Sequence, residues 1–189
     1  MKTRGNYTRR WNMIEECLKL SATHVVAIST KSIRIAPEFR APCEMNQCGH
    51  YDKNWTCPPG IGSLEECEKK VRRFSNGVLF QKVYGLEGSF DIEGMEKAHD
   101  DFFRLIRSIQ DSIPEEIKFS DHTILGAGAC AVCAECSYPE GEECRFPDKA
   151  VSSVEAHGID VKKLLEANGL SYVNGANTVS YVGLLLYNE

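Results

Sequence analysis

Nine cysteines in 189 residues constrain this chain more than any other feature. They are Cys17, Cys43, Cys48, Cys57, Cys67, Cys130, Cys133, Cys136 and Cys144. All but Cys17 and Cys67 fall in two stretches, 36–60 and 126–148. The number is odd, which does not suit a fully paired disulfide framework. The opening MKTRGNYTRRWNMIEECLKL carries charge but neither an apolar h-region nor a small-residue cleavage site. No run approaches the roughly 18 apolar residues of a membrane-spanning helix. The expectation is a cytoplasmic protein without a membrane span. Thiols are kept reduced in that compartment, so clustered cysteines there are metal ligands or redox centres.

The second stretch reads Cys130-Ala-Val-Cys133-Ala-Glu-Cys136, followed by Cys144. Two-residue spacers let three thiolates reach three corners of one iron–sulfur cubane, and Cys144 can supply the fourth. Small neighbours, Gly126, Gly128, Ala129, Ala131 and Ala134, allow backbone N–H groups to approach cluster sulfides. Zinc is the alternative, although structural zinc sites favour two separated cysteine pairs. The first stretch offers Cys43, Cys48 and Cys57, the last followed by Pro58-Pro59. Three thiolates leave one iron of a [4Fe–4S] cluster without a cysteine. Either Cys144 or Cys67 completes it, or that iron stays open to a substrate. Cys17 and Cys67 otherwise read as small core residues on helices.

Other residues near these stretches carry two readings each. His50 and Tyr51 are candidate proton donors or ordinary loop residues. Trp55 and Tyr51 either shield a metal from water or pack the loop. Arg145 either offsets cluster charge or forms a surface ion pair of little energetic weight. His157 reads as a helix-end or core-edge histidine.

The formal net charge of -5 argues against a nucleic-acid partner, which would demand a basic face. The basic residues Lys2, Arg4, Arg9 and Arg10 read as a solvated tail. Apolar periodicity predicts helices over 11–20, 63–74, 92–109 and 160–167. Asn76-Gly77 and Asn168-Gly169 serve as the stop signals of the second and fourth. Strands are expected over 24–29, 77–86, 121–125 and 179–187, the last apolar on both faces and therefore central. Ser152 to Glu155 suggests a short helical turn. The prolines Pro37, Pro42, Pro58 and Pro59 mark 36–60 as a loop. The expected fold is one α/β domain over 1–189, with a mixed sheet of about four strands, flanking helices and two long cysteine-bearing metal loops; α+β is the alternative arrangement. Loops of this length need an internal cross-link, so the two stretches are expected to converge on metal.

These motifs together resemble the bacterial and archaeal family labelled "predicted metal-binding protein". The resemblance rests on Cys43, Cys48 and Tyr51 ahead of Cys57-Pro58-Pro59. It continues through Leu125-Gly126-Ala127-Gly128-Ala129 into Cys130, Cys133 and Cys136, then Glu140-Gly141-Glu142-Glu143-Cys144-Arg145-Phe146-Pro147, and ends with Ser153-Val154-Glu155-Ala156-His157-Gly158-Ile159-Asp160-Val161. The chain departs from the family pattern at Ala129 and at Ile61-Gly62. The resemblance implies metal binding and does not name a reaction.

Three functional classes follow from the residues. The first is a carrier of one or two [4Fe–4S] clusters that exchanges electrons with a redox partner protein. The second is an enzyme using an open iron at Cys43, Cys48 and Cys57. The third is a zinc-stapled binding module. No phosphate-binding glycine loop and no nucleophile–histidine–acid signature points to other chemistry.

Overall fold

The computed structural model describes residues 18–19, 21–113 and 122–188. The expected helix over 11–20, with Cys17, lies almost wholly outside the described residues, as does the basic N-terminal tail. Five strands make one mixed sheet: β1 (His24–Ser29), β2 (Asn76–Gly85), β3 (His122–Gly126), β4 (Ser152–Ser153) and β5 (Thr178–Tyr187). Their order is β1-β2-β5-β3-β4. The pairs β1–β2, β2–β5 and β5–β3 are antiparallel, and β3–β4 is parallel. The fold is therefore α/β with five strands rather than about four. The strand missing from the expectation is the two-residue β4. Ser152 and Ser153 pair with Leu125 and Gly126, and only the next residues, Glu155–His157, form a 3-10 turn. Ser153 Oγ accepts the Ala156 N–H of that turn at 3.1 Å.

β5 lies centrally, as its two apolar faces require. Leu184 and Leu186 face one side and Leu185 and Tyr187 the other, all buried. Four α-helices flank the sheet among the described residues: α1 (Pro37–Glu44), α2 (Leu64–Arg72), α3 (Ile92–Ser112) and α4 (Val161–Ala167). On one side α3 buries Phe102, Leu105, Ile106 and Ile109 against Val78, Phe80, Ile124 and Leu185. The Phe80 and Phe102 rings lie 5.8 Å apart, a contact worth about 0.5–1.5 kcal/mol beyond its buried area. On the outer face of α3, Asp101 Oδ2 accepts from Lys82 Nζ at 2.7 Å and from the Tyr84 hydroxyl at 2.9 Å. On the other side Val71, Leu164 and Leu165 cover Leu79, Leu125, Val182, Leu184 and Leu186.

Local signals account for most helix ends. Ser63 and Glu66 close a reciprocal capping box at α2. Asp91 and Asp160 cap α3 and α4 through the Gly94 and Lys163 N–H groups. Gly169, at φ +72°, follows the α4 C-cap Asn168. Asn76-Gly77 plays a different part from the one expected. α2 ends at Arg72, and Asn76-Gly77 opens β2. Gly77 is needed there because a Cβ would stand 2.9 Å from Leu186 Cδ2 on the paired strand. Part of 36–60 is helical rather than loop. Pro37 occupies the first helical turn, where its missing N–H costs nothing, and Pro42 sits in the last.

His157 is 3% exposed, and its Nδ1–H donates to the Ser153 carbonyl at 3.0 Å. Burial depresses its pKa from 6.5 to about 4, so the folded state holds the neutral ring. Between those values the unfolded chain binds a proton that the folded chain refuses. The stability from neutral His157 is therefore full above pH 6.5 and is lost as pH falls toward 4. The expected loss is on the order of 3 kcal/mol. Denaturant midpoints measured at steps across this window should fall in the wild type and fall less in a His157→Gln variant.

Candidate metal centre

The cysteines of 36–60 are delivered by three kinds of local structure. Cys43 rides on the last turn of α1. Cys48 follows in a run of turns in which Met45 N–H bonds Ala41 O and Asn46 N–H bonds Cys43 O. Cys57 lies beyond Asn54 and is buried, with 8% of its surface exposed. The three thiols border one cavity of about 500 Å³. They also influence one another. Burial, then Cys48, Glu155 and Cys57, push the Cys43 thiol up to about 11, while Arg40 opposes the rise. Burial raises Cys57, with the Asn54 hydrogen bond opposing and Cys48 and Cys130 adding to it. Without a cation, burial thus favours the neutral thiol at Cys43 and Cys57.

The second set sits on the segment that joins β3 to β4. Cys130, Cys133, Cys136 and Cys144 are half-buried and border a separate cavity of about 200 Å³. Arg145 straps this segment by donating to the Glu135 carbonyl at 2.9 Å. Its carboxylate neighbour Glu140 is a loose 3.9 Å away, so the strap outweighs the ion pair. Gly128, at φ +77°, turns the chain out of β3 beside His99. A Cβ there would stand 2.6 Å from His99 Nε2, the ring atom that lies 3.2 Å from the Ala127 carbonyl.

The two stretches converge as expected. The Cys130 N–H donates to Thr56 Oγ1 at 3.4 Å, and the Thr56 hydroxyl donates to Asn54 Oδ1 at 2.8 Å. Asn54 and Thr56 are both buried, so this polar chain is satisfied internally. Trp55 Nε1–H donates to the Glu142 carbonyl at 3.1 Å, and its ring meets Tyr138 edge-on at 4.9 Å. The Tyr138 hydroxyl donates to Asp52 Oδ1 at 2.9 Å. Trp55 therefore packs one loop on the other beside the smaller cavity. His50 borders both cavities, and Tyr51 borders the larger. No group of three or more His, Cys, Asp or Glu among the described residues is placed to hold a single ion; the thiols ring cavities instead.

Cys67 stands apart. It is fully buried on α2 and receives Arg40 Nη1 at 3.5 Å. It borders neither cavity, which fits the reading of a packed helix residue. All eight described cysteines are free thiols.

Sequence reasoning missed Arg40. Its side chain is 4% exposed, and it joins four parts of the chain. Besides Cys67 it donates to Gly62 O at 2.7 Å, to Ala156 O at 3.4 Å and to Glu44 Oε1 at 2.9 Å. An arginine among charged residues on a short helix carries no sequence signal of burial. Replacing Arg40 by Leu strands the Gly62 and Ala156 carbonyls, at about 1–3 kcal/mol each. We expect Arg40→Leu to lose about 2–4 kcal/mol in urea unfolding. Glu44→Gln, which touches only the exposed end of the pair, should lose less than about 1 kcal/mol.

Neither curated proteins nor solved structures give a match to this chain. Among the described residues no helix is long and apolar enough to cross a membrane. Residues 26–187 match the model of a protein family, nearly the whole chain and both cysteine stretches included, and on that match the protein belongs to the family described as "Predicted metal-binding protein (DUF2284)".

Proposed function

We propose that this protein carries two [4Fe–4S] clusters and works as a redox protein in a reducing, cytoplasmic setting. One observation carries the reading: the seven loop thiols divide into four around the smaller cavity and three around the larger. Cys130, Cys133, Cys136 and Cys144 would hold a cluster at every iron. Cys43, Cys48 and Cys57 would hold three irons, and among the described residues no further cysteine borders that cavity.

The donor set fits the group. Thiolates are the usual ligands of such clusters. A single zinc ion, with Zn–S bonds of about 2.3 Å, draws its sulfurs within about 4 Å of one another. Three thiols border a cavity of about 500 Å³ and four a cavity of about 200 Å³, room for a larger body than one ion. When bound, such clusters supply one-electron transfer and, at an iron without a cysteine, a Lewis-acidic position. The chain's own residues do the rest. Arg40 ties the first loop to Gly62, Cys67 and Ala156, and the Asn54–Thr56 chain holds it against the second. Trp55 and Tyr138 close the seam between them. His50 and Tyr51 stand at the larger cavity as candidate proton donors. The four-thiol set, on half-buried residues, is the natural point of electron exchange with a redox partner protein.

The size of the larger cavity favours a second reading, in which the three-thiol side is catalytic and the four-thiol side feeds it electrons. Both readings require iron. Protein made and purified without oxygen should contain about eight iron and about eight acid-labile sulfide per chain. Cys133→Ser should remove most iron and lower thermal stability, because thiolate ligation contributes folding free energy. Cys48→Ser should retain about half the iron. Stoichiometric zinc without sulfide would overturn the proposal, and equal iron loss in the two variants would overturn the division of roles.

A further inference from the structure

Three cysteines leave the larger cavity one thiolate short of a cubane, so the rest of its wall decides what meets the fourth iron. Among its described lining residues Glu155 is the one carboxylate. Glu44, the residue after Cys43, is exposed and borders neither cavity. His50, the one imidazole there, is exposed and borders both cavities.

Glu155 is held in place. It is half-buried and opens the 3-10 turn Glu155–His157, just after β4. That turn is fastened to the helix that carries Cys43. Arg40 Nη1, from the turn of α1 before Cys43, donates to the Ala156 carbonyl at 3.4 Å. The Ala36 N–H, at the N-cap of α1, donates to the Gly158 carbonyl at 2.8 Å. Gly158, at φ +68°, permits this approach, because a Cβ there would stand 2.9 Å from the Ala36 carbonyl oxygen. Within the turn, Ser153 Oγ takes the Ala156 N–H, and the Ser153 carbonyl takes the His157 ring. Glu155 and Cys43 are therefore set beside one cavity by a joint that is hydrogen-bonded at both ends. The charge of Glu155 also acts on the Cys43 thiol, more strongly than that of Cys57 does, so the carboxyl lies within electrostatic reach of that sulfur.

We infer that Glu155 is the fourth ligand of the three-thiol site, its carboxylate holding the iron that Cys43, Cys48 and Cys57 leave without a cysteine. The inference rests on the iron–sulfur reading. On ligation the carboxyl gives its proton to solvent and an Fe–O bond forms, with no change of oxidation state. A carboxylate is a harder donor than the thiolates that select such clusters. The iron it holds is therefore the exchangeable one, and a molecule entering the cavity displaces Glu155 rather than a cysteine.

The probe is isotope-labelled imidazole, used well above the pH at which the ring protonates. Its nitrogen couples to the electron spin of a reduced cluster when it binds iron. Being neutral, it reports a vacated position rather than an altered charge, and the four-thiol set leaves no position for it. Wild type and variants, purified without oxygen and reduced, are titrated and followed by pulsed EPR, with iron and sulfide counted on the same samples. Glu155→Gln should bind the probe at least about tenfold more tightly than the wild type, in which the carboxylate must first be displaced. Glu155→Asp, which keeps the charge and draws the carboxylate back by one methylene, should also bind more tightly than the wild type, so the test survives if Glu155→Gln does not fold. Glu44→Gln, which removes a neighbouring charge, should match the wild type. Equal affinities in the wild type and the Glu155 variants, no binding by any of them, or tightening in His50→Gln in place of Glu155→Gln overturns the inference. Any of these outcomes in protein holding about eight iron and about eight sulfide overturns the Glu155 assignment alone. Zinc without sulfide overturns the iron–sulfur reading and the Glu155 ligand with it.

Discussion

Two parallel strands that lie side by side must be joined by a crossover. In most α/β proteins that crossover is a helix. Here β3 and β4 are the parallel pair, and the segment between them, 127–151, is the one that carries Cys130, Cys133, Cys136 and Cys144. Its regular structure amounts to one 3-10 turn, Tyr138–Glu140. A helix would satisfy its own backbone; this segment borrows partners. Thr56 takes the Cys130 N–H, Trp55 reaches the Glu142 carbonyl, and Ser137 reaches the Glu143 carbonyl. The placement of the first cysteine loop follows from the need to pin the second, and both cavities lie along that contact.

Burial and charge are balanced differently on the two sides of the first loop. On its inner side, Arg40 is a buried cation whose donors are taken up by two carbonyls, a thiol and a carboxylate. That satisfies the rule that a buried charge survives only when hydrogen-bonded. Cys43 and Cys57, by contrast, are favoured as neutral thiols first by burial, with Cys48 adding to both. A bound cation reverses this preference, because thiolates must form to ligate it, and protons are released on binding. Under the proposed ligation, metal rather than the protein would supply the compensating charge. Arg40 alone opposes the rise at Cys43, and it does so from beneath the loop rather than from within the cavity.

Much of the fold was legible because its signals are local. The alternation and apolar runs of β1, β2 and β5, the α3 stripe of Phe102, Leu105, Ile106 and Ile109, and the capping box of Ser63 and Glu66 depend on residues within a few positions of one another. Errors arose where a long-range partner decided. Asn76-Gly77 has the composition of a helix stop, yet Gly77 is required by the approach of Leu186 across the sheet. Ser152-Ser153 has the composition of a helix start, yet it pairs with Leu125 and Gly126. Pro37 looks like a loop residue, but the first turn of a helix tolerates the missing donor; Pro42, inside the same short helix, has no such local reason.

For the candidate site the division is similar. The sequence by itself determined the thiol inventory, its grouping by two-residue spacers, and the family to which the chain belongs, because spacing along the backbone is a covalent property. Only the tertiary structure decided which cavity each thiol borders and that Cys67 lies under Arg40 instead of at either cavity. Those facts depend on contacts between residues far apart in the chain, such as Thr56 with Cys130, separated by 74 positions. Such contacts are set by strand register and by what the sheet leaves uncovered, and no window of neighbouring residues encodes them.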